Sequence, residues 1–282
     1  MKKGLVLEGG AMRGMFTAGI LDVFLENNID FDGMIGVSAG ATFGCSFKSR
    51  QHGRTIRYNK KYCNDKRYWS LRSLIKTGNL FGVEFCYHEL PEKLDVFDNN
   101  AYNENPMEFY LVCTDIETGK PVYKQFNKMD DTYLEWMRAS ASLPLAATIV
   151  EIDGYKLLDG GISDSIPLEY FNSIGYEKNI VILTQPRNYV KEKNKALPLI
   201  KRRFKKYPKL IEAVANRHIM YNNEREYIFK SEARGDTLVL CPDENLPVNH
   251  TEKDPDVLQN VYDMGRKIAL ERLNEIKAFL MS

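Results

Sequence analysis

Two glycine-marked turns, at residues 9–14 and 36–40, each lie between an apolar run and a helical pattern, and they constrain this chain more than any other feature. Gly4 to Leu7 reads as a short buried strand that runs into Gly9-Gly10-Ala11-Met12-Arg13-Gly14. From Met15 to about Glu26 the spacing is helical, with Phe16, Ile20, Val23 and Phe24 on one side. Met34 to Val37 reads as a second strand that ends at Ser38, and Ala39 to Phe47 as a helix of small residues. Strand, loop, helix, strand, turn, helix is the rhythm of a parallel sheet with helices on both faces.

The same reading continues along the chain. Residues 54–94 look mostly helical and aromatic, and their aromatic content suggests a lid. Asp98 to Pro106 reads as a polar loop, and Phe109 to Thr114 as a strand that turns through Glu117–Lys120 into a partner at Pro121–Lys124. Tyr133 to Ala139 reads as a helix broken by Pro144. Thr148–Ile152 and Lys156–Leu158 read as strands flanking an Asp153-Gly154 turn. Asn179 to Thr184 has the β-branched run of a central parallel strand, Thr237 to Cys241 reads as a late strand, and Asp254-Pro255 caps a long final helix.

Gly36-Val37-Ser38-Ala39-Gly40 matches G-x-S-x-G. Such a turn lifts a serine Oγ from the carboxyl end of a sheet, and the helix that follows aims its N–H groups at developing negative charge. A serine that only caps a helix would look the same in these five residues. The earlier loop lacks G-x-G-x-x-G, because residue 11 is alanine, and it lacks the Gly-Lys-Ser/Thr ending of a phosphate loop. A phosphate site, an oxyanion loop and a packing turn all stay open for the loop alone, and Ser38 on the next strand favours the oxyanion loop.

A serine nucleophile needs a proton acceptor. The four histidines are His52, His88, His218 and His250. Only His218 and His250 come late enough for a triad in hydrolase order, and neither has a context that positions a base. Asp159 is better placed, since it closes the strand Lys156–Leu158 and precedes Gly160-Gly161. Partial burial would raise its pKa toward that of a useful base, although an Asp-Gly pair is also a common turn.

Taken together, these residues resemble the patatin-like phospholipase family. Residues 9–14 look like its glycine-rich oxyanion loop with a basic residue, 36–40 like its nucleophile elbow, and Asp159-Gly160-Gly161 like its Asp-Gly-Gly motif. Ala139-Ser140-Ala141-Ser142-Leu143-Pro144 resembles the small-residue stretch before that motif. Two departures stand out: Ala11 replaces a common glycine, and Ser165-Ile166-Pro167 stands where many members have Asn-x-Pro.

The resemblance covers about residues 4–184. It implies a three-layer α/β/α sandwich with a mainly parallel sheet, a Ser38–Asp159 dyad without histidine, and hydrolysis of lipid acyl esters without metal or cofactor. The oxyanion donors it implies are Gly9, Gly10, Ala11, Met12, Arg13 and Gly14 with Ala39, and the supporting glycines are Gly36, Gly40, Gly160 and Gly161. It implies a catalytic domain at 1–184, and 185–282 then reads as a helical extension with one late strand, packed on it. A soluble carboxylesterase, thioesterase or acyltransferase with the same dyad, or a lipid-binding regulator that does not turn over, are the alternative readings.

Composition bounds the partners. A net charge of +1 argues against nucleic acid as a global partner. Five cysteines without a C-x-x-C pair fit reduced thiols in a cytoplasmic setting. The apolar run of the N-terminus stops at Glu8, too early for a signal peptide, and no stretch approaches the ~18 apolar residues of a membrane span. Residues 187–209 are crowded with Arg and Lys interleaved with Leu197, Leu199, Ile200, Phe204 and Tyr207. That pattern suits peripheral contact with an anionic membrane, although a solvated helix face packed on the core is the commoner origin of such a stretch.

Overall fold

The computed structural model describes residues 1–281. It contains eight strands: β1 Lys2–Leu7, β2 Gly33–Val37, β3 Glu108–Asp115, β4 Pro121–Gln125, β5 Val150–Ile152, β6 Tyr155–Asp159, β7 Tyr176–Ile182 and β8 Thr237–Leu240. All join one sheet in the order β5-β6-β3-β2-β1-β7-β8, with β4 paired to β3 off that path. Pairings of β1 with β2 and β7, of β2 with β3 and of β7 with β8 are parallel; those among β3, β4, β5 and β6 are antiparallel. The sheet is thus mostly parallel, as the opening rhythm predicts.

Alternation along the buried strands builds the layers. Leu5 and Leu7 of β1 enter one core cluster with Met34, Leu111, Ile180 and Ile182, whereas Val6 enters another with Ile35, Val112 and Val181. The first face is covered by α1 Gly14–Glu26, α2 Ala39–Lys48 and α3 Arg54–Tyr62. The next helices in the chain are α4 Leu71–Thr77, α5 Asn99–Glu104 and α6 Tyr133–Ser140. The opposite face is covered by α7 Leu168–Ser173, and, after α8 Leu197–Arg203, by α9 Pro208–Arg234. The chain ends in α10 Pro255–Glu271 and α11 Leu273–Met281.

The local differences from the sequence reading have identifiable causes. Asp98 to Pro106 is not a loop throughout: the Asp98 side chain accepts the Ala101 N–H at 2.9 Å and starts α5, whose Tyr102 is fully buried. Residues Phe85–Leu94 form a wide π-helical segment that contains Pro91. The final helix is two, broken at Arg272, whose guanidinium donates to the Val239 carbonyl at 2.6 Å. The Asp153-Gly154 turn has positive φ at both residues, 51° and 80°, as a tight hairpin requires.

Residues beyond 185 are built into the same body. β8 extends the sheet beside β7, and α10 packs along α1. The two helices approach through paired glycines: a Cβ at Gly19 would collide with the Tyr262 carbonyl, and one at Gly265 with the Phe16 carbonyl. Tyr262 donates to Asp22 at 2.7 Å, and Arg266 grips Glu26 through both nitrogens, so polar bonds flank the crossing. Gly265→Val should therefore destabilise the whole fold by about 1–3 kcal/mol or more. A lowered urea midpoint would show this, with Lys267→Ala on the exposed face changing stability by less than about 0.5 kcal/mol.

Candidate active site

Ser38 stands between β2 and α2 with φ 54° and ψ −122°, a region that non-glycine residues enter only under constraint. The surroundings impose it. A Cβ at Gly36 would lie 2.6 Å from the Ala41 Cα, and one at Gly40 would lie 2.5 Å from the Leu7 carbonyl oxygen, so the turn closes against its own helix and against β1. The Ser38 N–H donates to Ser140 Oγ at 3.0 Å, and that hydroxyl donates to the Val112 carbonyl at 2.7 Å. Ser140, from the small-residue stretch that ends α6, thereby ties the turn to β3.

Strand register brings Asp159 to the same level. Val37 pairs with Val112 on β3, and Cys113, the next residue of β3, pairs with Asp159 at the end of β6. Asp159 is 2% exposed. Its N–H donates to the Ser142 carbonyl at 2.8 Å, and its Oδ1 accepts the Gly161 N–H at 2.8 Å. Oδ2 is buried and closes no hydrogen bond, yet the Ser38 hydroxyl lies near enough to favour the carboxylate form. Burial is the largest influence and pushes the Asp159 carboxyl above its ordinary range; Ser38, the Arg217 guanidinium and the Gly161 amide pull it down. Gly160 packs directly on the Val112 carbonyl, with no room for a side chain.

The first glycine loop lies against the serine. A Cβ at Gly9 would sit 2.8 Å from the Val37 carbonyl and 3.1 Å from Ser38 Cβ. Ala11–Arg13 make a single 3₁₀ turn, closed by the Arg13 N–H on the Gly10 carbonyl at 3.1 Å and followed by Gly14 at the start of α1. Ala11 holds φ 49°, a conformation in which the commoner glycine would be unstrained. Among the described residues, the N–H groups of Gly10 and Ala11 donate to no protein acceptor. Ala11, Met12, Ser38 and Ala39 border one cavity of about 540 Å³, within the range of small-molecule sites. Its wall is apolar, with Phe43, Leu80, Phe81, Tyr87, Leu90 and Met137 among the lining side chains. Residues of the aromatic 54–94 stretch therefore form much of that wall.

Several residues at the site escape a sequence reading. Arg217 on α9 donates to the Gly161 carbonyl, which also accepts the Ser165 hydroxyl at 2.7 Å. Ser165 thus makes a supporting bond to the Asp-Gly-Gly loop where the resemblance expects Asn. Beneath the loop, Asp164 accepts the Tyr123 hydroxyl at 2.7 Å and Glu224 accepts the Ser165 N–H at 3.0 Å. Burial and the repulsion of Asp164 raise the Glu224 carboxyl far above its ordinary range. Glu8 accepts the Thr184 N–H at 2.6 Å and the Tyr221 hydroxyl at 2.7 Å.

Of the histidines, His250 borders the same cavity as Ser38, but its Nε2 lies 3.2 Å from Arg13 Nη1. Burial lowers its pKa, and Arg13, Lys191 and Arg217 all add to that lowering. Lys191 is pulled down to about 8, chiefly by its own burial. His218 has a buried Nδ1 without a partner; His52 pairs with Glu26 and His88 with Glu92.

A mostly parallel sheet flanked by helices, with a strained serine at the edge of an apolar cavity, defines an α/β protein with one candidate nucleophile site. Comparison with known families makes the class specific. The chain belongs to the patatin-like phospholipase family, whose model matches residues 5–172. A second model, for a domain of unknown function (DUF6363), matches residues 207–281. The uncharacterized protein YjjU of Escherichia coli K12 is 31% identical over 192 residues, covering 64% of this chain and 52% of that protein. The neuropathy target esterase sws of Drosophila melanogaster is 25% identical over 64% of this chain and 12% of its own length. Lysophospholipase nte1 of Aspergillus terreus is 26% identical over 61% and 11%. The chain therefore matches about half of YjjU and a small part of the esterases. Among solved structures, VipD from Legionella pneumophila matches with a TM-score of 0.49 and 11% identity, over 97% of this chain and 67% of that one.

The Ser140 relay predicts a stability effect that does not depend on any activity. Ser140→Ala leaves the Ser38 N–H and the Val112 carbonyl without their partner, which should cost about 1–3 kcal/mol in chemical denaturation. An unchanged midpoint would remove Ser140 from the support of the turn.

Proposed function

We propose that this chain is a serine hydrolase that cleaves acyl esters of lipids, as a phospholipase A, lysophospholipase or lipid acyl hydrolase. The observation that carries this reading is the strained Ser38 beside the buried, pKa-raised Asp159 at an apolar cavity. Ser38 Oγ attacks the ester carbonyl carbon as Asp159 accepts its proton. N–H groups of Gly10 and Ala11, within the loop from Gly9 through Met12 and Arg13 to Gly14, receive the oxyanion together with Ala39. The alcohol leaves with the proton held by Asp159. Water then attacks the acyl-serine, Asp159 takes a proton from it, and the carboxylic acid departs as Ser38 regains its hydrogen.

In this reading residues 1–184 are the catalytic domain, and 185–282 an extension that completes its sheet and walls. The cations of that extension favour an anionic group on the substrate. Lys191 and Arg217 gather with Arg13 around His250, and every charged neighbour that acts on His250 is positive. Glu8 and Glu224 are the acids that face Lys191. A phosphate on the alcohol side of the ester meets that chemistry.

A serine-directed fluorophosphonate should label the native protein and not Ser38→Ala. Asp159→Asn should lose on the order of 10³-fold or more in kcat, while His250→Asn keeps activity within about tenfold. A loss in His250→Asn as deep as in Asp159→Asn would replace the dyad with a triad. Absence of labelling in folded protein would leave a lipid-binding role. Comparison of long-chain lipids with short soluble esters and thioesters separates the remaining alternatives.

The base must be ionised to work, so kcat/KM should fall as pH drops through the Asp159 pKa. Burial raises that pKa, which moves the acid limb above the ordinary aspartate value of about 3.9. A limb at or below that value would argue against Asp159 as base.

A further inference from the structure

We infer that α4 is a lipid-docking element that seats the wall of the cavity on an anionic bilayer surface. The choice of a lipid occupant rests on the lipid-hydrolase reading; the shape and chemistry of the element do not.

None of the seven residues of α4, Leu71–Thr77, is buried. Leu71 is 69% exposed and Ile75 is 87% exposed, and at i, i+4 they share one side of the helix. Isolated surface apolar residues are ordinary, but here two of the most exposed in the chain stand together on one short helix. A helix this short is not stable by its own propensity. It is held by the Ser70 hydroxyl, which accepts the Ser73 N–H at 3.1 Å, and by Gly78 at φ 78°, whose N–H donates to the Leu74 carbonyl.

The helix is anchored to the cavity wall. The Ser70 N–H donates to the Leu80 carbonyl at 3.0 Å, and Trp69 bridges Phe81 in antiparallel fashion. Leu80 donates in turn to the Ala146 carbonyl at 2.8 Å, and the Asn79 side chain accepts the Thr148 N–H at 2.9 Å. Leu80, Phe81 and Ala146 all line the cavity that Ser38 borders. A surface that received Leu71 and Ile75 would therefore lie beside the wall of that cavity.

The charges select the kind of surface. α4 contains Arg72 and Lys76 and no acid, and Lys66 lies just before it. Among the described residues these three cations have no carboxylate partner, whereas neighbouring Arg67 is paired with Asp65 and Glu89. Exposed apolar side chains ringed by unpaired cations match a bilayer with anionic headgroups. The basic stretch at 187–209 is arranged differently. Ile200, Phe204 and Leu210 are buried against Ile116, Leu158 and Ile162, so most of its apolar side packs within the protein, and Val190 and Leu199 stay exposed singly rather than as an i, i+4 pair. Among the described residues no helix is long and apolar enough to cross a membrane, so contact through α4 would be peripheral.

Co-sedimentation with vesicles of phosphatidylcholine and phosphatidylglycerol tests this, with the full chain carrying Ser38→Ala to prevent turnover. The double variant Leu71→Ser/Ile75→Ser should weaken partitioning by at least about tenfold. Arg72→Gln/Lys76→Gln should weaken it on these vesicles and not on pure phosphatidylcholine. In the otherwise native protein, the double serine variant should hydrolyse a short soluble ester within about twofold of the parent, which separates docking from catalysis. Ile75→Trp should gain an emission that bromine-labelled acyl chains quench. Undiminished partitioning of the double variant, or binding that is lost only when Lys201, Arg202, Arg203 and Lys205 are neutralised, would overturn the proposal. If vesicles bind through α4 and no ester is cleaved, the docking inference stands and the hydrolase reading fails.

Discussion

The position of the site depends on the register of β3. This one strand pairs in parallel with β2 through Val112 and Val37, and antiparallel with β6 through Cys113 and Asp159. Two consecutive residues of β3 therefore set Ser38 and Asp159 side by side, although 121 positions separate them in the chain. A slip of one residue on either side would reverse the faces of every side chain on the slipped strand. The buried alternation of Leu111, Val112 and Cys113, all fully covered, makes such a slip costly. Ser140 and Ser142 reinforce the alignment from outside the sheet: one hydroxyl holds Ser38 to Val112, and the other residue's carbonyl holds the Asp159 N–H.

The parts of the fold that carry the turns were legible in the sequence because their signals are local. β1, β2 and β7 are interior parallel strands, so they read as short continuous apolar runs, and glycines mark where each chain segment must pass close to another. Asp159 was legible for the same reason, at a strand end before two glycines. The 27-residue α9 is different. Its sequence mixes basic and apolar residues without a single clean stripe, since it contacts the sheet, the Asp-Gly-Gly loop and solvent in turn. Arg217 is one basic residue among many there, and its bond to Gly161 spans 56 positions. Nothing in its neighbours marks it. Likewise Asp98 to Pro106 is polar enough to pass for a loop, and only the cap bond from Asp98 with the burial of Tyr102 makes it a helix.

The stretch after residue 185 changes character in the sequence but not in the packing. It supplies β8 at one edge of the sheet, α9 on one face and α10 on the other. At the glycine crossing of α1 and α10 the Tyr262 and Phe16 carbonyls occupy the places that Cβ atoms on Gly19 and Gly265 would need. Such a contact tolerates no sliding. The loop that carries His250 leads directly into α10, so the position of that histidine beside Arg13 is fixed by the same crossing.

The electrostatics of Asp159 then follow from this assembly. A carboxyl that is 2% exposed would stay protonated if burial acted alone, and a protonated aspartate is no base. The opposing pull comes from three directions: the Ser38 hydroxyl on β2's turn, the Gly161 amide in its own loop, and Arg217 on α9. Arg217 is held to that loop by the Gly161 carbonyl, so its charge acts at a set distance rather than as a mobile counter-ion. It also forms no direct ion pair with Asp159, which would drive the carboxyl low. Burial sets the direction of the shift, and the Ser38 hydroxyl, the Arg217 cation and the Gly161 amide oppose it. The carboxylate is left with one uncommitted oxygen beside the serine.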